Sequence, residues 1–150
     1  MNMNFSISVN APCEQVFDVF ADFKNAPARV DGIEKVEMVT GDDVGVGTKF
    51  RETRVMFGRE STEEMEVTEF EPGKKYTVEA NSCGAHFQTI FNFKPNGNDT
   101  QIDVALNTKP LTLFAKLMSP LGYLMAGSMK KMFVADIEDL KQHCERNAKS

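Results

Sequence analysis

The chain reads as an α+β fold, a seven-stranded curved antiparallel sheet wrapped on one long C-terminal helix in the order β-α-α, six β, α. Three observations lead there. Met3, Phe5, Ile7 and Val9 alternate with Asn4, Ser6, Ser8 and Asn10, the period of a half-buried strand. From Glu34 to Thr108, extended segments are broken only by short turn-forming clusters. Beyond Pro110, apolar residues recur every three or four positions as far as Cys144.

The elements follow in order. After the first strand, Asn10 is placed to cap a helix whose first turn holds Pro12 and Glu14, with Val16, Phe17 and Phe20 at helical spacing. A second, short helical segment is expected around 25–30. Strands are expected at 34–40, 48–56, 59–70, 75–81, 85–94 and 100–108. They are separated by Gly41-Asp42-Asp43, Phe57-Gly58, Glu71-Pro72-Gly73, Ser82-Cys83-Gly84 and Pro95-Asn96-Gly97-Asn98, all turn chemistry. Connections this short enforce antiparallel pairing, because parallel neighbours need a long crossover.

After Pro110 come Phe114, Leu117 and Leu121, then Leu124, Met125, Met129, Met132, Phe133, Ile137, Leu140 and Cys144. Ser119-Pro120 suits a cap and a first helical residue. This divides the end into a short helix near 111–118 and a long one over 120–146. A single antiparallel sheet has one apolar face, which the long helix must cover. A strongly curved sheet does not close on one helix everywhere, so a cavity between them is expected.

At 150 residues without a linker or repeat, the sequence predicts one domain over 1–150, large enough to fold without staples. Its net charge of −5 argues against nucleic acid, whose backbone needs clustered Lys and Arg. The opening residues carry no basic region before an apolar stretch, as a signal peptide would. The apolar run Leu117–Met129 falls short of the roughly 20 residues that cross a bilayer, and Pro120, Gly122 and Gly127 interrupt it. Stable membrane insertion is therefore not expected. Cys13, Cys83 and Cys144 cannot all pair, and reduced thiols in a cytoplasmic protein are the expectation.

The most informative segment is the hairpin 48–56 with 59–67. A turn at Phe57-Gly58 makes paired residue numbers sum to 115. Lys49 then faces Glu66 and Arg51 faces Glu64 on one side, opposite charges meeting as cross-strand pairs prefer. The other side pairs Phe50 with Met65, Glu52 with Glu63 and Arg54 with Ser61, and its apolar members mark it as the inner face. A slip of one residue would exchange the faces and spoil the charge match. Of the dense acidic run Glu60, Glu63, Glu64, Glu66 and Glu69, only Glu63 is not explained as a solvated face.

Buried charges are costly unless paired, so Glu52, Glu63 and Arg54 are expected to cluster. Such a cluster could anchor the polar end of a ligand. One carboxyl, its pKa raised by the other, could instead serve as general acid or base in an aldol cyclisation or dehydration. The plain alternative is a wetted salt-bridged trio at the open edge.

Nine methionines are present, and Met118, Met125, Met129 and Met132 fall in the C-terminal helices. Adaptable thioethers suit a pocket for bulky apolar ligands, although the same spacing fills a core. Phe87, Phe91 and Phe93 alternate inward on the sixth strand, which turns His86 outward. Cys83-Gly84-Ala85-His86 supplies two metal-type ligands where zinc needs at least three, so no metal is expected. His143-Cys144 lies on the last helical turns without a catalytic arrangement. Gly45-Val46-Gly47 lacks a third glycine and precedes a strand, so no nucleotide cofactor is expected.

Several stretches, in order along the whole chain, resemble a known family. They are Ala11-Pro12 through Val16-Phe17, Gly45-Val46-Gly47-Thr48 and Glu69-Phe70-Glu71-Pro72. Phe91-Asn92-Phe93-Lys94-Pro95 with Gly97, Thr100-Gln101-Ile102 and the long last helix complete the set. The chain is similar to the SRPBCC superfamily, the START and pollen-allergen-like helix-grip fold, and within it the polyketide cyclase/dehydrase and lipid-transport group. The resemblance implies an apolar cavity between sheet and C-terminal helix that holds a lipid, polyketide, sterol or similar molecule. It implies no particular reaction, since such proteins include cyclases, ligand carriers, quinone-binding proteins and co-chaperone-like modules.

The leading expectation is binding of a small apolar molecule by Phe50, Glu52, Arg54, Glu63, Met65, Phe87, Phe91, Leu121, Met125 and Met129. An alternative is cyclase/dehydrase chemistry with Glu52 or Glu63 as the catalytic group. A third is a protein-interaction module without a ligand, showing an exposed apolar patch along 111–127. Oligomeric state, and whether 111–119 is a lid, are not written in the sequence.

Overall fold

Strands β1 (Asn2–Val9), β2 (Ile33–Met38), β3 (Lys49–Met56), β4 (Arg59–Glu71), β5 (Lys75–Ser82), β6 (Ala85–Asn96) and β7 (Asp99–Pro110) form one sheet. Helix α1 (Cys13–Ala21) and a 3₁₀ helix (Phe23–Ala28) lie between β1 and β2, and α2 (Ser119–Ala148) follows β7. This computed structural model describes residues 2–56, 58–82, 84–111 and 119–148, the side chains of 56, 82, 110 and 119–129 excepted. The sheet is curved and wholly antiparallel, in the order β1-β7-β6-β5-β4-β3-β2. Every pairing but β1 with β7 joins strands consecutive in the chain, the outcome that the short turns require.

Two bulges decide which residues face the core. In β2 the register shifts between Ile33 and Lys35, so Ile33, Val36 and Met38 all lie on the face shared with Arg54, Glu52 and Phe50. In β4 the shift between Val67 and Glu69 turns Phe70 inward opposite Tyr76, where strict alternation would have turned it out. Phe70 then packs edge-on to Phe17 of α1 at 5.5 Å between ring centres.

One end of the concave face is closed by aromatic packing. Val16, Phe17, Phe20 and Ala21 are buried on the inner side of α1. Phe17 meets Tyr76 at 5.9 Å and Phe93 at 5.1 Å, and Phe23 stacks on Phe50 at 4.5 Å. Edge-to-face and offset contacts of this kind add to the stabilisation from buried area. The Tyr76 hydroxyl donates to the Phe20 carbonyl (3.2 Å) and the Thr100 hydroxyl to the Ala11 carbonyl (2.7 Å), so neither buried polar group is stranded.

Asn10 does not cap α1. The Ala11 N–H turns back to the Val9 carbonyl, and the helix starts only at Cys13 with Pro12 at its cap position, out of reach of the Asn10 side chain. The Asn10 N–H instead donates to Glu145 Oε2 of α2 (2.8 Å). The segment expected as a helix around 25–30 is the earlier 3₁₀ helix, with Pro27 inside it. The short helix expected at 111–118 lies outside the described residues apart from Leu111.

Helix α2 runs as a single rod of 30 residues. Phe133 packs on Phe5 (5.9 Å) and Phe91 (6.3 Å), while Ile137 and Cys144 are buried. Among the described residues, three carboxylates tie it to the rest of the chain. Asp136 pairs with Arg54, Asp139 accepts from the Asp31 N–H (3.1 Å) and Glu145 accepts from Asn10.

Candidate functional site

The β3–β4 hairpin has the register read from charge alternation, from Lys49 opposite Glu66 to Met56 opposite Arg59. Gly58, at φ 77°, permits the tight reversal. On the outer face, Lys49–Glu66 (3.9 Å) and Arg51–Glu64 (3.6 Å) are exposed pairs of small energetic value. The Thr53 and Thr62 hydroxyls share a hydrogen bond of 2.7 Å. The inner face brings Phe50, Glu52 and Arg54 beside Met65, Glu63 and Ser61.

There, Arg54 is held between two carboxylates. Its Nε and Nη2 donate to Glu52 Oε1 at 3.0 and 2.6 Å, and Nη2 also donates to Asp136 Oδ2 at 2.8 Å. The three side chains are only 12–16% exposed. Burial lifts the Glu52 carboxyl above its ordinary range despite Arg54, and the charges of Asp136 and Glu63 push the same way. Asp136 is raised for the same leading reason. For Arg54, burial opposes the cation, but the two carboxylates outweigh it and push the guanidinium up. Arg54 Nη1 is buried without a hydrogen-bond partner among the described residues, beside Gly32. A β-carbon on Gly32 would stand 3.3 Å from Asp136 Oδ1 and 3.7 Å from that nitrogen, so glycine leaves room for the helix carboxylate to close on the sheet.

Adjoining this cluster is a strip of concave face less fully covered than the aromatic end. Met65, Ala80 and Phe87 form one cross-strand row, and Val78, Thr89 and Leu106 continue the next, all half-buried. The row toward α1 is sealed, with Tyr76 3%, Phe91 8% and Val104 2% exposed.

The expected binding residues therefore divide. Glu52 and Arg54 touch, and Glu63 stands opposite Glu52 in the ladder. Met65 and Phe87 flank Ala80 on the strip. Phe50 and Phe91 are buried in the aromatic core, against Phe23 and against Phe20, Tyr76 and Phe93. Leu121, Met125 and Met129 lie on α2, with side chains outside the described residues. Of 111–127, only Leu111 has a described side chain, and it is exposed. Asp136 escapes a reading by composition, yet its signal is present. It sits three or four residues from Met132, Phe133 and Leu140, a charge inside the apolar stripe.

Other reactive groups lie elsewhere. His86 is on the outer face, bonded to Glu79 Oε1 (2.7 Å) and Asn81 Oδ1 (2.6 Å). His143 bonds Asn147, and burial pushes the neighbouring Cys144 thiol up to about 11, an inert core thiol. No cluster of three metal-ligating side chains occurs among the described residues. An open depression of about 390 Å³ lies over β1, β7 and β6 on the convex side, its polar lining being Asn4, Ser6, Asn92 and Asp103. It is separate from the Arg54 cluster.

Comparison with known proteins agrees with this architecture. The family described as polyketide cyclase/dehydrase and lipid transport matches residues 2–145. The chain belongs to that family. No curated protein matches this polyketide cyclase/dehydrase-type chain in sequence. Among solved structures, it is similar to the Zhui aromatase/cyclase from Streptomyces sp. R1128, at 16% identity and TM-score 0.81 over 97% of this chain and 94% of that one. It is also similar to TTHA0849 from Thermus thermophilus (16%, TM-score 0.77, 99% of each chain). Ara h 8.0201 is a third such structure (15%, TM-score 0.70, 93% of this chain and 97% of that one). At these identities the likenesses show the helix-grip fold alone. No helix among the described residues of this family member is long and apolar enough to cross a membrane.

Proposed function

We propose that this polyketide cyclase/dehydrase-family protein binds a small, largely apolar molecule between the sheet and α2, with residues 1–150 acting as one domain. The observation that carries the reading is the half-buried strip of Met65, Ala80 and Phe87 ending at the buried cluster of Glu52, Arg54 and Asp136. An apolar wall with a few convergent polar groups is the usual build of a small-molecule site. Glu63 and, from α2, Leu121, Met125 and Met129 complete the proposed wall. Gentle purification followed by mass spectrometry of what denaturation releases is the direct test. A co-purifying apolar molecule that also raises the melting temperature on re-addition supports the reading. An empty protein whose Tm no lipid-like or polyketide-like compound shifts refutes it.

A second reading, cyclase or dehydratase catalysis, is favoured by one observation. Glu52 and Glu63 stand opposite each other on the inner face of the β3–β4 hairpin, and burial raises the Glu52 carboxyl, the setting in which a carboxyl can serve as general acid or base. In that reading Glu52, or Glu63 opposite it, would take a proton from the carbon between two ketones and return it to the departing hydroxyl. Turnover of a poly-β-keto thioester by the parent, lost in Glu52→Gln with binding retained, supports it. Unchanged turnover in both Glu52→Gln and Glu63→Gln removes it.

A further inference from the structure

We infer that the molecule held here presents a hydrogen-bond donor without negative charge, a hydroxyl, phenol or amine on an apolar body, to the Glu52–Arg54–Asp136 cluster, and that carboxylates and phosphates are rejected. The inference rests on the binding reading above and names the ligand class for that same site.

The first argument is charge. One guanidinium contacts two carboxylates, so the cluster carries formal −1 when all three are ionised (+1 − 2). Glu63 faces Glu52 across the ladder and adds its repulsion on the same side. An added anion entering this poorly solvated corner is repelled by Glu52 and Asp136 and attracted by Arg54 alone, in a medium that screens weakly. The second argument is geometry. The Arg54 hydrogens that would form a fork for an incoming carboxylate are engaged, Nε and Nη2 on Glu52 and Nη2 again on Asp136. The remaining nitrogen, Nη1, is buried against Gly32. A neutral or cationic donor meets the opposite situation, carboxylate oxygens as acceptors at the end of an apolar strip. Discrimination of this kind works by repelling the wrong ligand as much as by attracting the right one. Burial lifts both carboxyls, and the same lack of solvation would oppose an added negative charge.

The test is isothermal titration of the full-length protein near neutral pH with decane, decanol, decylamine, decanoate and decyl phosphate, kept below micelle-forming concentrations. Decanol and decylamine are expected to bind about tenfold or more tightly than decanoate, with decyl phosphate weaker still. Asp136→Asn, which removes one negative charge, is expected to narrow the gap between decanol and decanoate. Glu52→Gln serves the same purpose should the first variant fold poorly. Decanoate binding as tightly as decanol overturns the inference, and so does equal binding of all five, although the binding reading then stands. Binding by none of the five, decane included, removes the binding reading and this inference together.

Discussion

Asp136 and Arg54 are 82 residues apart in the chain and 2.8 Å apart in space. The bond joins the middle of α2 to the inner face of β3, so one contact both docks the C-terminal helix and completes the polar end of the proposed site. The two roles cannot be separated by deleting a single side chain.

Removing Arg54 leaves Glu52 and Asp136 buried without their cation. Arg54→Met is expected to lower stability by about 3–5 kcal/mol, read as a shift of the urea midpoint at neutral pH. Replacing all three residues by apolar ones of similar size is expected to recover most of that loss. A single Arg54→Met change that costs nothing would mean that the ion pairs do not dock the helix.

The same cluster sets a pH dependence. Glu52 and Asp136 have folded pKa values raised above their unfolded ones, so each binds a proton more readily in the native state. Their contribution to stability is full below the unfolded carboxyl range and is lost as pH rises through the raised values. Glu52→Gln is therefore expected to gain stability relative to the parent as pH rises from about 4 to about 8. Asp103 provides the opposite control. Lys94, Gln101 and Ser6 hold its carboxyl well below the usual range, so its contribution is present above that range and lost on acidification. Parallel stability curves for Glu52→Gln and the parent across this window would contradict the assignment.

Tyr76 is buried among Phe17, Phe23, Phe91 and Phe93, and burial pushes its phenol far above the usual value. In an alkaline absorbance titration it is expected to ionise only when the protein unfolds. Tyr76→Phe, which strands the Phe20 carbonyl acceptor, should cost roughly 0.5–1.5 kcal/mol while leaving the fold intact. Ionisation of Tyr76 within the native baseline would show that the aromatic end is open to water.

Cys144, 4% exposed with its pKa pushed up to about 11, is expected to resist alkylation at pH 8 in the native protein and to react once denaturant is added. Peptide mapping of iodoacetamide adducts reads this directly. Rapid native labelling at Cys144 would place the last turns of α2 off the core.

The charge pattern of residues 49–66 was enough to read the β3–β4 register, and with it the neighbourhood of Glu52, Arg54 and Glu63, because a two-residue hairpin turn leaves one pairing that satisfies both faces. The strand sequence, its antiparallel order and the inward faces of β1 and β6 were legible for the same local reason. What local pattern could not supply was anything decided by a partner distant in the chain. Bulges in β2 and β4 turned Ile33 and Phe70 to the core because packing there outweighed strict alternation. Asn10 lost its expected capping role as α1 started late, and its N–H was taken by Glu145. The place of Asp136 inside the apolar stripe marked it as unusual, but its partner, Arg54, was set only when the helix lay across β3. Alternation and turn chemistry act between near neighbours and are written residue by residue, whereas the meeting of α2 with the sheet is a docking geometry that exists only after the whole chain has closed.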